Sequence, residues 1–129
     1  MSDTAKLIAR QFIERVVNTG DLHRVADFVA PAFVDEMKRH ITGARSTYPD
    51  LQVTVEQQIA EDDLVVSRVT ARGTHAGTYQ GIRPTNKRIV RQGVNIDRVR
   101  DGVIVEHWGA ANTFEALAAI DALSHCGPE

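Results

Sequence analysis

The spacing of apolar residues along this chain changes once, at Leu51, and that change constrains the fold more than any other feature. Before it, apolar residues recur every three or four positions. After it they alternate with polar ones. A chain with helical spacing in its first part and strand spacing in the rest segregates its helices from its strands, which is the pattern of an α+β domain.

In the first part, Leu7, Ile8, Phe12, Ile13, Val16 and Val17 form one helical face, with Arg10, Glu14 and Arg15 on the other. Asp3 or Thr4 can cap its start and Gly20 can end it. Asp21 is placed to cap a second, shorter helix that carries Leu22, Val25, Phe28 and Val29 and stops at Pro31. A third helix is expected after Asp35, with Met37, Ile41 and Ala44 inward, stopping before Tyr48-Pro49.

From Leu51, Val53 and Val55 alternate with Gln52, Thr54 and Glu56. Glu61-Asp62-Asp63 reads as a tight connection into a long strand from Leu64 to His75. Gly77, Gly81 and Pro84 mark a loop, and Ile89 to Val99 is the next strand. Asp101-Gly102 suits a type I′ hairpin turn into a last strand, Val103 to Trp108. Asn112-x-x-Glu115 resembles a capping box opening a short terminal helix with Phe114, Leu117, Ala118 and Leu123. A curved antiparallel sheet wrapped around the helices makes a cone, with an apolar cavity between its concave face and the helices.

The 129 residues suit one domain, 1–129, with one core. A formal charge of −2 gives no overall drive toward nucleic acid, and the basic residues Lys87, Arg88, Arg91 and Arg98 read as a solvated sheet face diluted by Asp97 and Asp101. One cysteine, Cys126, can form no intrachain disulfide, and no cysteine cluster exists to hold zinc. No apolar run reaches membrane-spanning length, and the polar N-terminus does not read as a signal peptide. The expectation is a soluble, cytoplasmic protein with no metal, no cofactor and no nucleic-acid or membrane partner.

His107 is the first candidate for chemistry. Alternation places it on one face with Val105 and Gly109, and Glu106 on the other with Ile104 and Trp108, so Glu106 and His107 cannot act as a pair. An imidazole in a cavity can move a proton near neutral pH, or donate a hydrogen bond to an oxyanion. The alternative is a histidine satisfied by a neighbouring element. Asn112 is explained by helix capping, although a cap at a cavity rim can also meet a ligand. Gln92 shares a strand face with Val90, Val94 and Ile96, where a polar amide could orient a carbonyl; a sheet-edge or interface role is the alternative. His75 and Tyr79 could line a pocket mouth or simply flank a turn. His40, between Lys38-Arg39 and Ile41, reads as solvated. There is no phosphate loop, dinucleotide fingerprint or nucleophile elbow.

Six segments, taken in order, resemble the SnoaL-like polyketide cyclases of the nuclear-transport-factor-2-like superfamily. They are F-I-E-R-V-V-N-T-G-D-L from Phe12, F-V-A-P-A-F-V-D from Phe28, Y-P-D-L-Q-V-T-V-E from Tyr48, T-A-R-G-T-H-A-G from Thr70, G-I-R-P-T from Gly81 and D-G-V-I-V-E-H-W-G from Asp101. The resemblance implies the α+β cone and a homodimer built through the sheets. It also implies ring closure by intramolecular aldol condensation without cofactor, driven by an aspartate acting as general base and acid. In the family pattern that aspartate follows E-H-W-G after two further residues, and here the position is Asn112. An amide can replace a carboxylate as a helix cap but not as a base. The loop that relatives carry after the F-V-D stretch is also shortened, with Asp35 leading straight into the third helix.

Two functions follow from these observations. One is cofactor-independent proton transfer, an aldol cyclisation or isomerisation, on a small apolar carbonyl compound, with His107 moving the proton and Asn112 and Gln92 donating hydrogen bonds. The other is a non-catalytic small-ligand-binding or association module of the same fold. An epoxide-hydrolase-like activity ranks last, because no carboxylate pair bridged by arginine can be placed on one inward face.

Overall fold

The computed structural model describes residues 2–79 and 81–111. Helix α1 spans Ser2–Phe12 and widens into a π-helical turn over Ile13–Val17, where the Asn18 N–H donates to the Ile13 carbonyl. Gly20, at φ 73°, ends it in the left-handed conformation and returns its N–H to Val16. A 3₁₀ turn, Leu22–Arg24, leads into α2, Val25–Phe28; a second, Pro31–Phe33, leads into α3, Val34–Thr47. Asp21 does not cap: it forms an ion pair with Arg24 at 3.2 Å. No helix among the described residues is long and apolar enough to cross a membrane.

Four strands follow as one antiparallel sheet in sequence order: β1 Gln52–Glu61, β2 Leu64–Thr74, β3 Arg88–Arg100 and β4 Val103–Ala111. Asp101 and Gly102 have φ of 53° and 81°, as a type I′ turn requires. Two bulges interrupt the ladder. One lies at Glu56 of β1, and the other makes Val105 the extra residue of β4, between the pairs Arg98↔Glu106 and Val99↔Ile104. Bulges bend and twist a strand, and both occur on strands flanking the cavity. The expected alternation on β4 is corrected by the second: Ile104 and His107 both face inward, and Glu106 turns outward to Arg98 at 2.6 Å.

The core lies between α1 and the sheet. Ala5, Ala9, Phe12 and Val16 of α1 and its π turn pack with Phe28, Met37, Val65 and Ile104, and Phe12 meets Phe28 edge-on at 6.1 Å. Two polar side chains fix the helical layer on the sheet. Asn18 exchanges both amide hydrogen bonds with the Val53 backbone, at 2.7 and 2.9 Å. Arg45 donates to the carbonyls of Val17, Asn18, Pro49 and Leu51. The loop after β2 is seated on the end of α3, where the N–H groups of Ala76 and Gly77 donate to the Thr47 carbonyl. The terminal helix expected from Asn112, and Cys126, lie outside the described residues.

Candidate functional site

A cavity of about 650 Å3 lies between the concave face of the sheet and the helical layer. Its walls are mostly apolar, with Phe12, Met37 and Ile41 above and Val53, Val69 and Ala71 below. Its polar groups are few. Among the described residues, Arg91, Asn95 and Asp97 come from the inward positions of β3, His107 and, at the rim, Glu106 from β4, and Glu36 and His40 from α3.

His107 and Asp97 are opposite residues of the β3–β4 ladder, and their side chains meet through Nδ1 and Oδ1 at 2.6 Å. The Asp97 side chain is 5% exposed and that of His107 23%, so the pair sits in the cavity wall with the imidazole reaching into the open space. An ionised carboxylate only accepts, so Nδ1 carries the proton and Nε2 presents its lone pair. Gly109 follows on the same face; a Cβ there would lie 3.7 Å from His107 Nε2 and 3.4 Å from Asn95 Oδ1, and its absence keeps the space beside both atoms open. The His40 ring, on the exposed side of α3, stands 6.4 Å from that of His107. An imidazole held in one tautomer by a carboxylate, with its second nitrogen free in a mostly apolar cavity, is suited to accept and return a proton.

The other residues singled out in the sequence lie elsewhere. Gln92 is on the outer face of β3 and exposed, with Val90 and Val94, and does not line the cavity. The apolar parity of this strand is the outward one, so the inference from apolar neighbours to an inward amide is corrected. His75 is fully buried and outside the cavity wall. Its Nδ1 accepts the Thr85 N–H at 3.3 Å and lies 3.0 Å from the Thr85 hydroxyl, which staples the loop after β2. Its Nε2 is the one buried side-chain nitrogen or oxygen without a partner among the described residues. Tyr79 closes a small turn with Ile82 through reciprocal backbone hydrogen bonds and does not line the cavity. Asn112 lies outside the described residues.

The site residues missed in the sequence are Asp97, Asn95, Arg91 and His40. Three of them share the odd-numbered parity of β3 with Ile89 and Val99, which are both buried, so the signal lay in those two flanking apolar residues. Tyr48, buried where α3 ends, is near Arg91. Burial raises its phenol pKa above the usual range, while the Arg91 charge opposes that rise. Among the described residues no group of three histidines, cysteines or carboxylates could hold a metal ion.

The family model for SnoaL-like polyketide cyclases matches residues 7–120. Among solved structures, TsrD from Streptomyces laurentii superposes with a TM-score of 0.86 at 21% identity, covering 95% of this chain and 98% of its own. AclR, a putative hydroxylase from Streptomyces galilaeus, gives 0.80 at 27% identity, covering 94% of this chain and 83% of its own. IdmH, a putative polyketide cyclase from Streptomyces antibioticus, gives 0.76 at 28% identity, covering 93% and 97%. A search of curated proteins finds no match.

Proposed function

The chain belongs to the SnoaL-like polyketide cyclase family, and on that premise we propose that it catalyses cofactor-independent proton transfer beside a carbonyl in a small, largely apolar compound. The observation that carries this reading is the Asp97–His107 pair at 2.6 Å in the cavity wall. In the proposed reaction His107 Nε2 takes a proton from the carbon beside the carbonyl. The electron pair of the broken C–H bond moves onto the carbonyl oxygen, giving an enolate. The Asn95 amide donates to that oxygen, and the Asp97 carboxylate stabilises the imidazolium. In an aldol closure the enolate carbon bonds to a second carbonyl carbon of the same molecule, and that carbonyl's oxygen takes the proton back from Nε2. In an isomerisation the proton returns to a different carbon.

The test is solvent exchange. With ethyl benzoylacetate in deuterated buffer, proton NMR is expected to show enzyme-accelerated loss of the α-proton signal, abolished by His107→Ala. Equal loss with and without protein, or an unchanged rate in His107→Ala, would overturn the assignment.

Asn112 favours a second reading, a ligand-binding module without turnover, because the resemblance places a carboxylic base at that position. Asn112→Asp separates the two: tight ligand binding without exchange in both forms supports the module, and exchange already present in the native protein removes it.

We also propose that a second copy of the chain covers the outer sheet face. Ile59, Val66, Ile96 and Trp108 are successive cross-strand partners and form one apolar row across all four strands. Ile59 is 60% and Trp108 47% exposed in the single chain. Such a row on an open sheet face is suited to pairing with its own copy.

A further inference from the structure

Among the described residues Arg91 is the one arginine or lysine of the cavity wall, and the proton-transfer scheme leaves it unused. It is half-buried on the inward face of β3, opposite Ala71, and makes no hydrogen bond or ion pair among the described residues. Every other arginine on β3's inner or outer face has an open solvent side or a carboxylate: Arg98 binds Asp63 and Glu106, Arg100 binds Asp63, and Arg88 is exposed. A guanidinium held against apolar walls without a partner loses hydration and gains nothing in return until an oxygen anion reaches it.

The position of Arg91 in the cavity gives its charge a direction. Along β3 it is six residues from Asp97, a strand distance of about 20 Å between backbones. Around Arg91 stand Tyr48 and the end of α3. At the other end stand Asp97 and His107, with His40 beside His107 and Glu36 one turn before it on α3. Among the described residues the cavity is therefore cationic at one end and carries its wall carboxylates, Glu36, Asp97 and Glu106, toward the other, with Glu106 paired to Arg98. Between them the β3 floor offers only Gly93 and Asn95. An elongated ligand with one anionic end has a single favoured orientation in that field.

We propose that Arg91 is a specificity-determining residue that binds an anionic oxygen, a carboxylate or a phenolate, at the end of the ligand remote from the reacting carbon. The ligand is then an elongated, mostly apolar carbonyl compound with its keto end at His107 and its anionic end at Arg91. This rests on the reading of the cavity given above as a ligand site, and not on whether proton transfer occurs there.

Two dyes of similar size and shape test it, because neither can react. Anilinonaphthalenesulfonate carries an anion and N-phenylnaphthylamine does not. In fluorescence titrations of the full-length protein the sulfonate is expected to bind at least tenfold more tightly than the neutral dye. Arg91→Met is expected to weaken the sulfonate at least tenfold and to leave the neutral dye within twofold. Arg91→Lys should recover part of the loss. Neither dye has a proton beside a carbonyl, so a failure of the proton-transfer scheme shows only in the exchange assay. The proposal is overturned if Arg91→Met leaves the sulfonate unchanged, which is also the result for dye bound on the outer sheet face. It is overturned equally if both dyes weaken together, which makes Arg91 a wall residue only.

Discussion

Replacing Asp97 tests how far the cavity chemistry depends on the carboxylate behind His107. In the proposed reaction the charge that Asp97 faces develops as His107 takes the proton, so its loss is felt in the transition state more than in the bound state. A hydrogen bond to a charged group contributes about 1.5–3 kcal/mol and a neutral one about 0.5–1.5 kcal/mol. Asp97→Asn keeps the shape and an acceptor oxygen for Nδ1, so it is expected to raise the barrier by about 1–1.5 kcal/mol, a rate loss of about 5- to 15-fold. Asp97→Ala removes the acceptor and is expected to cost about 1.5–3 kcal/mol, or about 10- to 150-fold. The assay is the α-proton exchange rate, with circular dichroism confirming the fold of each variant. The decisive measurement is the double-mutant cycle with His107→Ala. If Asp97 acts through His107, Asp97→Asn has no further effect once the imidazole is gone. An Asp97→Asn effect that persists unchanged in His107→Ala, or an Asp97→Asn variant at the native rate, would refute the reasoning.

Three further outcomes are expected. Gly77→Ala drives a Cβ into the Ser46 carbonyl oxygen, so the loop must lift from α3 and lose its hydrogen bonds to Thr47; overpacking and lost hydrogen bonds together cost about 3–5 kcal/mol. Thermal denaturation should show a melting temperature about 12–20 °C lower, and a value within about 3 °C of native would mean the loop is not seated there. Asp50 accepts the Thr74 N–H and hydroxyl, each at 2.7 Å, and the backbone bond, then the hydroxyl bond, hold its carboxyl below the usual range. Its stabilisation is therefore complete above the unfolded carboxylate pKa of about 3.9 and is lost as pH falls through the lower folded value. Denaturant midpoints of native protein and Asp50→Asn should converge as pH drops below about 4, and a constant gap would contradict this. Trp108, the single tryptophan of the chain, reports on the outer sheet face: light scattering at micromolar concentration should give twice the 14.2 kDa chain mass, with emission shifting red on dilution and Trp108→Lys giving the monomer. A 14.2 kDa species with concentration-independent emission would rule the dimer out.

The element order was legible because helical and strand spacing occupy separate stretches, and the turn at Asp101-Gly102 was legible because only a few residue pairs accept two positive φ angles. The site was legible in part. His107 could be named because few titratable side chains sit on the last strand, but its partner could not. On β3 both parities carry apolar residues, Ile89 and Val99 inward and Val90, Val94 and Ile96 outward, and the longer row faces away from the cavity. A sheet with one face over a cavity and the other open to a partner leaves alternation without a unique direction. For that reason Gln92 could be read toward the cavity or toward an interface, and it lies on the outer face. At a strand end His75 and Tyr79 could line a pocket mouth or flank a turn, and the hydrogen bonds of His75 with Thr85 and of Tyr79 with Ile82 tie them into the loop.

The partner of His107 is decided by one residue. Continued without interruption from its two-residue turn, the β3–β4 hairpin would set Asp97 opposite Glu106 on the inward face and turn His107 outward. Two carboxylates would then share the cavity wall, and Arg98 would face Val105. Like charges directly opposite on a sheet destabilise it and opposite charges stabilise it. The bulge at Val105 shifts every later residue of β4 by one, which sets Arg98 against Glu106 outside and Asp97 against His107 inside. Both contacts are 2.6 Å, so the irregular register satisfies four charged or titratable groups where the regular one satisfies none. Local spacing predicts the regular register because it counts apolar alternation, whereas the observed register follows from charge pairing across strands. The bulge also bends β4 around the cavity, so the same extra residue that pairs His107 with a carboxylate helps to form the space into which its free nitrogen points.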